Sequence, residues 1–130
     1  MARGIVGAEP PEGRYPEVMD FSPSPADLVA LFDRVAPSGP DITRRKMFGW
    51  PATFVNGNMC CSLHRDHVVL RLGDSERAEL LAQGAMPFEP MPGRPMKGFV
   101  TAPPAMLADE PALRSWLART ADFARTLPPK

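Results

Sequence analysis

Apolar positions along the chain follow two rhythms, one helical and one extended, and Gly and Pro mark the changes between them. Leu28, Leu31, Phe32 and Val35 fall at i, i+3, i+4 and i+7, the spacing of a single buried helix face. Ahead of them Ser24-Pro25 offers an N-cap and a proline at the first helical position, and Asp27 complements the dipole of the first turn. Pro37-Ser38-Gly39-Pro40 closes this helix. A second helix is predicted from an Asp74 or Ser75 cap through Gln83, with Ala78, Leu81 and Ala82, joined by Leu80, inward and Gly84 at C′. The last starts at the cap Asp109, carries Pro111 in its first turn, and aligns Leu113, Trp116, Leu117, Thr120, Ala124 and Leu127 in one stripe. Arg114, Arg119, Asp122 and Arg125 occupy its other side.

Between the first two helices the period shortens to that of strands. Residues 42–48 read as a strand that enters with the basic run Arg44-Arg45-Lys46, and Gly49 and Pro51 around Trp50 predict a bend or bulge. Asn56-Gly57 is a type I′ hairpin signal joining residues 53–55 to 58–63, because both turn positions need positive φ. His64-Arg65-Asp66-His67 makes the next corner, and Val68, Leu70 and Leu72 share one face of a returning strand. Residues 86–94 are proline-rich and extended, with Met86 and Phe88 facing the same way, and residues 96–101 form a last strand containing Gly98. Residues 105–108 read as a helical turn or loop. The order is helix, three or four strands, helix, two strands, helix (α-β-β-β-α-β-β-α). An α+β two-layer sandwich, with a largely antiparallel sheet and helices on one face, buries these stripes. Residues 1–23, with three glycines, four prolines and no periodicity, read as a flexible extension ahead of one domain over residues 24–130.

Charge and cysteine content narrow the functional classes. Fifteen basic residues balance fifteen acidic ones, so no global field draws the chain to nucleic acid or an anionic membrane. No apolar run approaches the roughly 18 residues of a membrane span, and the N-terminus lacks a signal-peptide pattern, so a cytoplasmic location without membrane association is expected. Cys60 and Cys61 are adjacent and, in a regular strand, would point to opposite faces, one into the core and one outward. They are not placed to bridge, which fits a reducing compartment.

Several stretches together resemble the N-terminal domain of the TfoX/Sxy competence-regulator family: Arg45-Lys46-Met47-Phe48-Gly49, Phe54-Val55-Asn56-Gly57-Asn58-Met59, Val68-Val69-Leu70-Arg71-Leu72, Gly84-Ala85-Met86-Pro87-Phe88, and Pro95-Met96-Lys97-Gly98-Phe99-Val100. The resemblance spans residues 24–127 in order, the Trp-containing last helix included. It implies a secretion-chaperone-like two-layer fold and a bacterial regulatory role of the kind associated with DNA uptake. Founders of the family carry a second, helical domain after this one. The chain ends at Lys130, and a single-domain member is expected. Gly49-Trp50-Pro51 stands where a plainer Gly-Gly often follows Met-Phe, marking an aromatic-Pro subgroup.

Candidate chemistry is sparse. Cys60, Cys61, His64 and His67 are the soft-ligand cluster, but divergent strand cysteines without a Cys-x-x-Cys knuckle make a poor zinc site, and no metal or other cofactor is expected. A thiol enzyme built on Cys61 or Cys60 is the third reading, since Cys plus His is the minimum for an activated nucleophile. Carboxylates form no recognisable catalytic pair, and neither a Gly-x-Ser-x-Gly motif nor a phosphate-cradling glycine loop is present. The second reading is a nucleic-acid-associated regulator using Arg44, Arg45 and Lys46, although alternation puts Arg45 opposite the other two. The leading reading is a non-enzymatic interaction module, monomeric or homodimeric, that contacts an unidentified protein partner through Arg44, Arg45, Lys46, Trp50, Arg94 and Lys97. The methionines read as core filling rather than as a binding surface.

Overall fold

The computed structural model describes residues 22–130; the flexible extension expected ahead of the domain falls, up to residue 21, outside the described residues. The elements are α1 (Ala26–Val35), β1 (Ile42–Met47), β2 (Trp50–Val55), β3 (Asn58–His64), β4 (His67–Arg71) and α2 (Asp74–Ala82), then β5 (Met86–Pro87), β6 (Phe99–Thr101), α3 (Pro104–Leu107) and α4 (Glu110–Arg125). The strands form one antiparallel sheet in the order β1-β2-β3-β4-β6-β5. This is the α+β architecture and element order that the apolar pattern predicts, with four strands ahead of α2 and residues 105–108 contributing to a short helix.

Three tight turns set the register of β1 to β4. Asn56 and Gly57 have φ of 51° and 86°, and Val55 faces Asn58, as the hairpin signal requires. The expected bend around Trp50 is instead a second hairpin: Phe48 and Gly49, at φ 56° and 88°, form the turn, and Met47 faces Trp50. Pro51 is tolerated because it opposes Lys46 and lies outside the β2–β3 ladder, which begins at Ala52 and Ser62. Arg65 carries the positive φ, 54°, of the third turn.

The helices bury one face of this sheet. Leu28, Leu31, Phe32 and Val35 of α1 and Leu113, Trp116, Leu117, Thr120 and Ala124 of α4 are buried, as their spacing predicts, against Val55, Val68, Leu70, Leu72 and Val100. A fully buried aliphatic side chain of this size contributes roughly 1.5–3 kcal/mol relative to exposure. Asp109 caps α4 by accepting from the Ala112 N–H at 3.2 Å. At α1 the cap position is Pro25 rather than Ser24, and the Asp27 carboxylate accepts from the Leu28 N–H at 3.0 Å. For α2 the cap is Gly73, one residue earlier than predicted and without a side-chain bond. Its end is a Schellman motif, with Ala85 N–H bonded to Leu80 C=O and Gly84 N–H to Leu81 C=O. Only Leu80 of α2 is buried; Ala78, Leu81 and Ala82 are exposed, because this short helix carries no continuous apolar stripe to lay against the sheet.

The thiols depart most from expectation. The β2–β3 register shifts between Thr53 and Phe54: Cys61 pairs with Thr53 and Met59 with Phe54, which leaves Cys60 as the extra residue of a β-bulge. A bulge cancels one step of alternation, so both cysteines face the helices. Their sulfurs lie 3.9 Å apart, both are fully buried, and Cys60 Sγ donates to the Thr53 carbonyl at 3.4 Å. Neither is the outward-facing thiol that regular alternation predicts.

Ion pairs ring the helical layer. Arg125 reaches from α4 to Asp41 ahead of β1 at 2.8 Å and to Asp122 at 2.9 Å, while Glu110 takes Arg34 at 3.2 Å and Arg114 at 3.1 Å. The Arg125 hydrogen bond holds the Asp41 carboxyl below its usual range. A carboxyl whose folded-state pKa is depressed stabilises the fold fully above its unfolded value, and that contribution disappears as pH falls through the folded value. Urea midpoints measured from about pH 6 down to about pH 2 should therefore decline less steeply for Asp41→Asn than for the parent chain; identical slopes would contradict the pairing. The buried bulge carries its own expectation. Neither cysteine should react with Ellman's reagent in the folded protein, and both should react once the chain is unfolded in denaturant; rapid modification of the native chain would refute the buried geometry.

Candidate functional site

Among the described residues no helix lies over the other face of the sheet. By alternation Arg45 and Met47 of β1, Trp50, Ala52 and Phe54 of β2, Met59, Ser62 and His64 of β3, and Val69 and Arg71 of β4 project here. The segment between β5 and β6 folds back across part of this surface. Phe88 N–H bonds to Phe99 C=O at 3.1 Å and Met96 N–H to Phe88 C=O at 2.8 Å, while Met91 and Arg94 close the tip as an isolated bridge. The Glu89 carboxylate accepts from the Gly93 N–H at 3.2 Å and braces the same tip. Val69, Phe88 and Phe99 form a small second core beneath it, with Met59 packed alongside.

Between this segment and the β1–β2 turn lies an apolar groove of about 250 Å³. Met47, Phe48 and Trp50 form one wall; Met59, Leu63 and His64 contribute to its base; Phe88, Pro90, Met91 and Met96 form the opposite wall. Ser62 and His64 are the polar side chains in the lining. The aromatic rings set its shape: Trp50 and His64 have centroids 4.5 Å apart at 47°, and His64 meets Phe88 edge-on at 5.0 Å. Trp50 Nε1–H donates to the Ser22 carbonyl at 2.8 Å, which satisfies the indole while its ring stays buried. Phe48 is held in the left-handed region with its side chain 62 % exposed at the groove mouth. For a residue with a Cβ that conformation costs roughly 1–2 kcal/mol, and such strain gathers at functional positions.

The residues singled out from the sequence are only partly brought together. Arg44 turns to the helical side, where it pairs with Asp33 and lies 4.9 Å from the Phe32 ring centre. Lys46 shares that side, and Arg45, over Phe54 at 4.1 Å, is on the groove side, as alternation predicts. Trp50 is 3 % exposed and serves as a wall rather than a free surface. Arg94 sits in the bridge with Met91, and Lys97 joins Arg71 and Arg77 around a separate hollow at the start of α2. The soft-ligand candidates separate: Cys60 and Cys61 face the helices, His64 lines the groove, and His67 pairs with Asp66 at 3.4 Å. Among the described residues no three His, Cys, Asp or Glu side chains converge as metal ligands. Burial pushes the Cys61 thiol up, away from the thiolate that nucleophilic chemistry requires.

Sequence reasoning missed the methionines. Met47, Met59, Met91 and Met96 all line the groove, and of the methionines among the described residues only Met106 is buried. Their number was a visible signal, eight in the chain, but their convergence depends on three different segments. Among the described residues no helix is long and apolar enough to cross a membrane.

Comparison with curated proteins finds no match to this chain. The family model of the TfoX N-terminal domain matches residues 33–124 of the 130, a stretch that runs from the end of α1 through most of α4 and contains the whole sheet and every wall of the groove. The chain is therefore a member of the TfoX N-terminal domain family.

Proposed function

We propose that this protein is a non-enzymatic regulatory module that works by holding an apolar segment of a partner protein in the outer-face groove. The observation that carries this reading is the groove's lining: large apolar side chains from three separate segments, with its few polar groups confined to Ser62 and His64. Methionine is flexible and polarizable, so a Met-rich wall adapts to apolar side chains of different shape. The family contributes the regulatory setting, that of competence-type modules.

Charge narrows the partner's chemistry. Arg45 lies on the same strand face as Met47, and Arg94 is bridged to Met91; neither meets a carboxylate among the described residues. The segment that fits has large apolar side chains flanked by Asp or Glu, with the charges guiding approach and register more than affinity.

The test is photo-crosslinking in the native host from a reactive residue placed at Met86, outside the groove on β5, followed by sequencing of the crosslinked peptide. The expected product is an apolar peptide with acidic flanks; its yield falls at least about tenfold in Met47→Glu/Met96→Glu and in Arg45→Glu/Arg94→Glu, with circular dichroism unchanged. Equal yields from the parent and both variants would exclude the groove as the contact.

A further inference from the structure

We propose that the groove methionines are an oxidation site through which peroxide-class oxidants switch off docking, an inference that rests on the docking reading above. Met47 and Met96 are 37 % and 39 % exposed, and they stand on opposite walls of the same apolar groove, with Met59 and Met91 partly buried between and beside them. The thioethers a dissolved oxidant reaches are thus the ones an apolar segment would touch. Met106, 7 % exposed among the helices, and Met86, 64 % exposed on β5 outside the groove, are internal controls for burial and for location.

The chemistry is a two-electron oxygen transfer. The sulfur lone pair attacks hydrogen peroxide, the O–O bond breaks, an S–O bond forms, and water leaves: R–S–CH3 + H2O2 gives R–S(O)–CH3 + H2O. Sulfur is oxidised and peroxide reduced, with no other reactant. The product is polar and chiral where the thioether was apolar and flexible. Ser62 and His64 are the polar lining groups near it, so the sulfoxide oxygen draws water into a wall that must be dry to hold an apolar side chain. Reversal needs a dithiol reductant. Cys60 and Cys61 do not supply it, because they are buried on the opposite face of the sheet.

The test uses the anionic apolar dye 1-anilinonaphthalene-8-sulfonate as the groove probe and mass spectrometry to locate sulfoxides. The untreated chain should bind the dye saturably. After peroxide treatment that oxidises Met47 and Met96 but spares Met106, with circular dichroism unchanged, dye affinity should fall about tenfold or more, and methionine sulfoxide reductase with dithiothreitol should restore it. A variant with leucine at positions 47, 59, 91 and 96, or the milder Met47→Leu/Met96→Leu if the fourfold change does not fold, should bind the dye and keep that binding through the same treatment. Undiminished affinity with both sulfoxides present, or equal loss in the leucine variant, would overturn the switch while leaving docking intact. Absence of saturable binding before treatment would overturn the docking reading and the switch with it.

Discussion

A sheet has two faces, and the described residues supply helices for one. α1 and α4 bring enough apolar surface to bury the side on which Val55, Val68, Leu70 and Leu72 project, and among the described residues the connection between β5 and β6 crosses part of the other side. That connection covers Val69 with Phe88 and Phe99, but it stops short of the β1–β2 end. The apolar groove lies at that end, between this connection and the β1–β2 turn. Proline stiffens the covering segment at Pro87, Pro90, Pro92 and Pro95, which fixes the far wall without needing a helix or a long strand.

The bulge at Cys60 belongs to the same account. One extra residue on β3 returns Met59 to the groove side while keeping both cysteines beneath α4. Without it, the residues on one side of the bulge would exchange faces, because a single-residue slip inverts every side chain along a strand. The bulge therefore reconciles a helix-facing pair of thiols with a groove-facing run of Ser62 and His64. It also separates the cysteines from the histidines, so four residues that lie close in sequence are parted onto different sides of the sheet.

Local signals were legible where local physics decides them. Asn56-Gly57 specifies its turn because positive φ is cheap there, and the stripe on α4 specifies its buried face because its period is unambiguous. Gly84 marks the end of α2 for the same reason. What could not be read is what depends on partners distant in the chain. The Phe48-Gly49 hairpin places an aromatic residue in a conformation its own preferences oppose, so no propensity argument finds it. The bulge is a property of two strands in register, not of Cys60-Cys61 alone. Leu80 rather than Leu81 is buried, and the short, weakly patterned sequence of α2 does not fix which of its sides turns inward. The groove was least legible of all, since Met47, Met59, Met91 and Met96 become neighbours only after β1, β3 and the β5–β6 connection are in place.

The central claim is that the outer face holds a formed apolar groove, distinct from the core under the helices. It is tested most directly by methyl NMR of the chain labelled with 13C at the methionine methyl groups, recorded as xenon pressure is raised. Xenon enters dry apolar cavities and perturbs the methyl groups lining them. The account predicts saturable shifts for Met47, Met59, Met91 and Met96, and none of comparable size for Met106 in the helical core or Met86 on the edge strand. Shifts at Met106 as large as those at the groove methionines, or no saturable shift at any of the four, would contradict it.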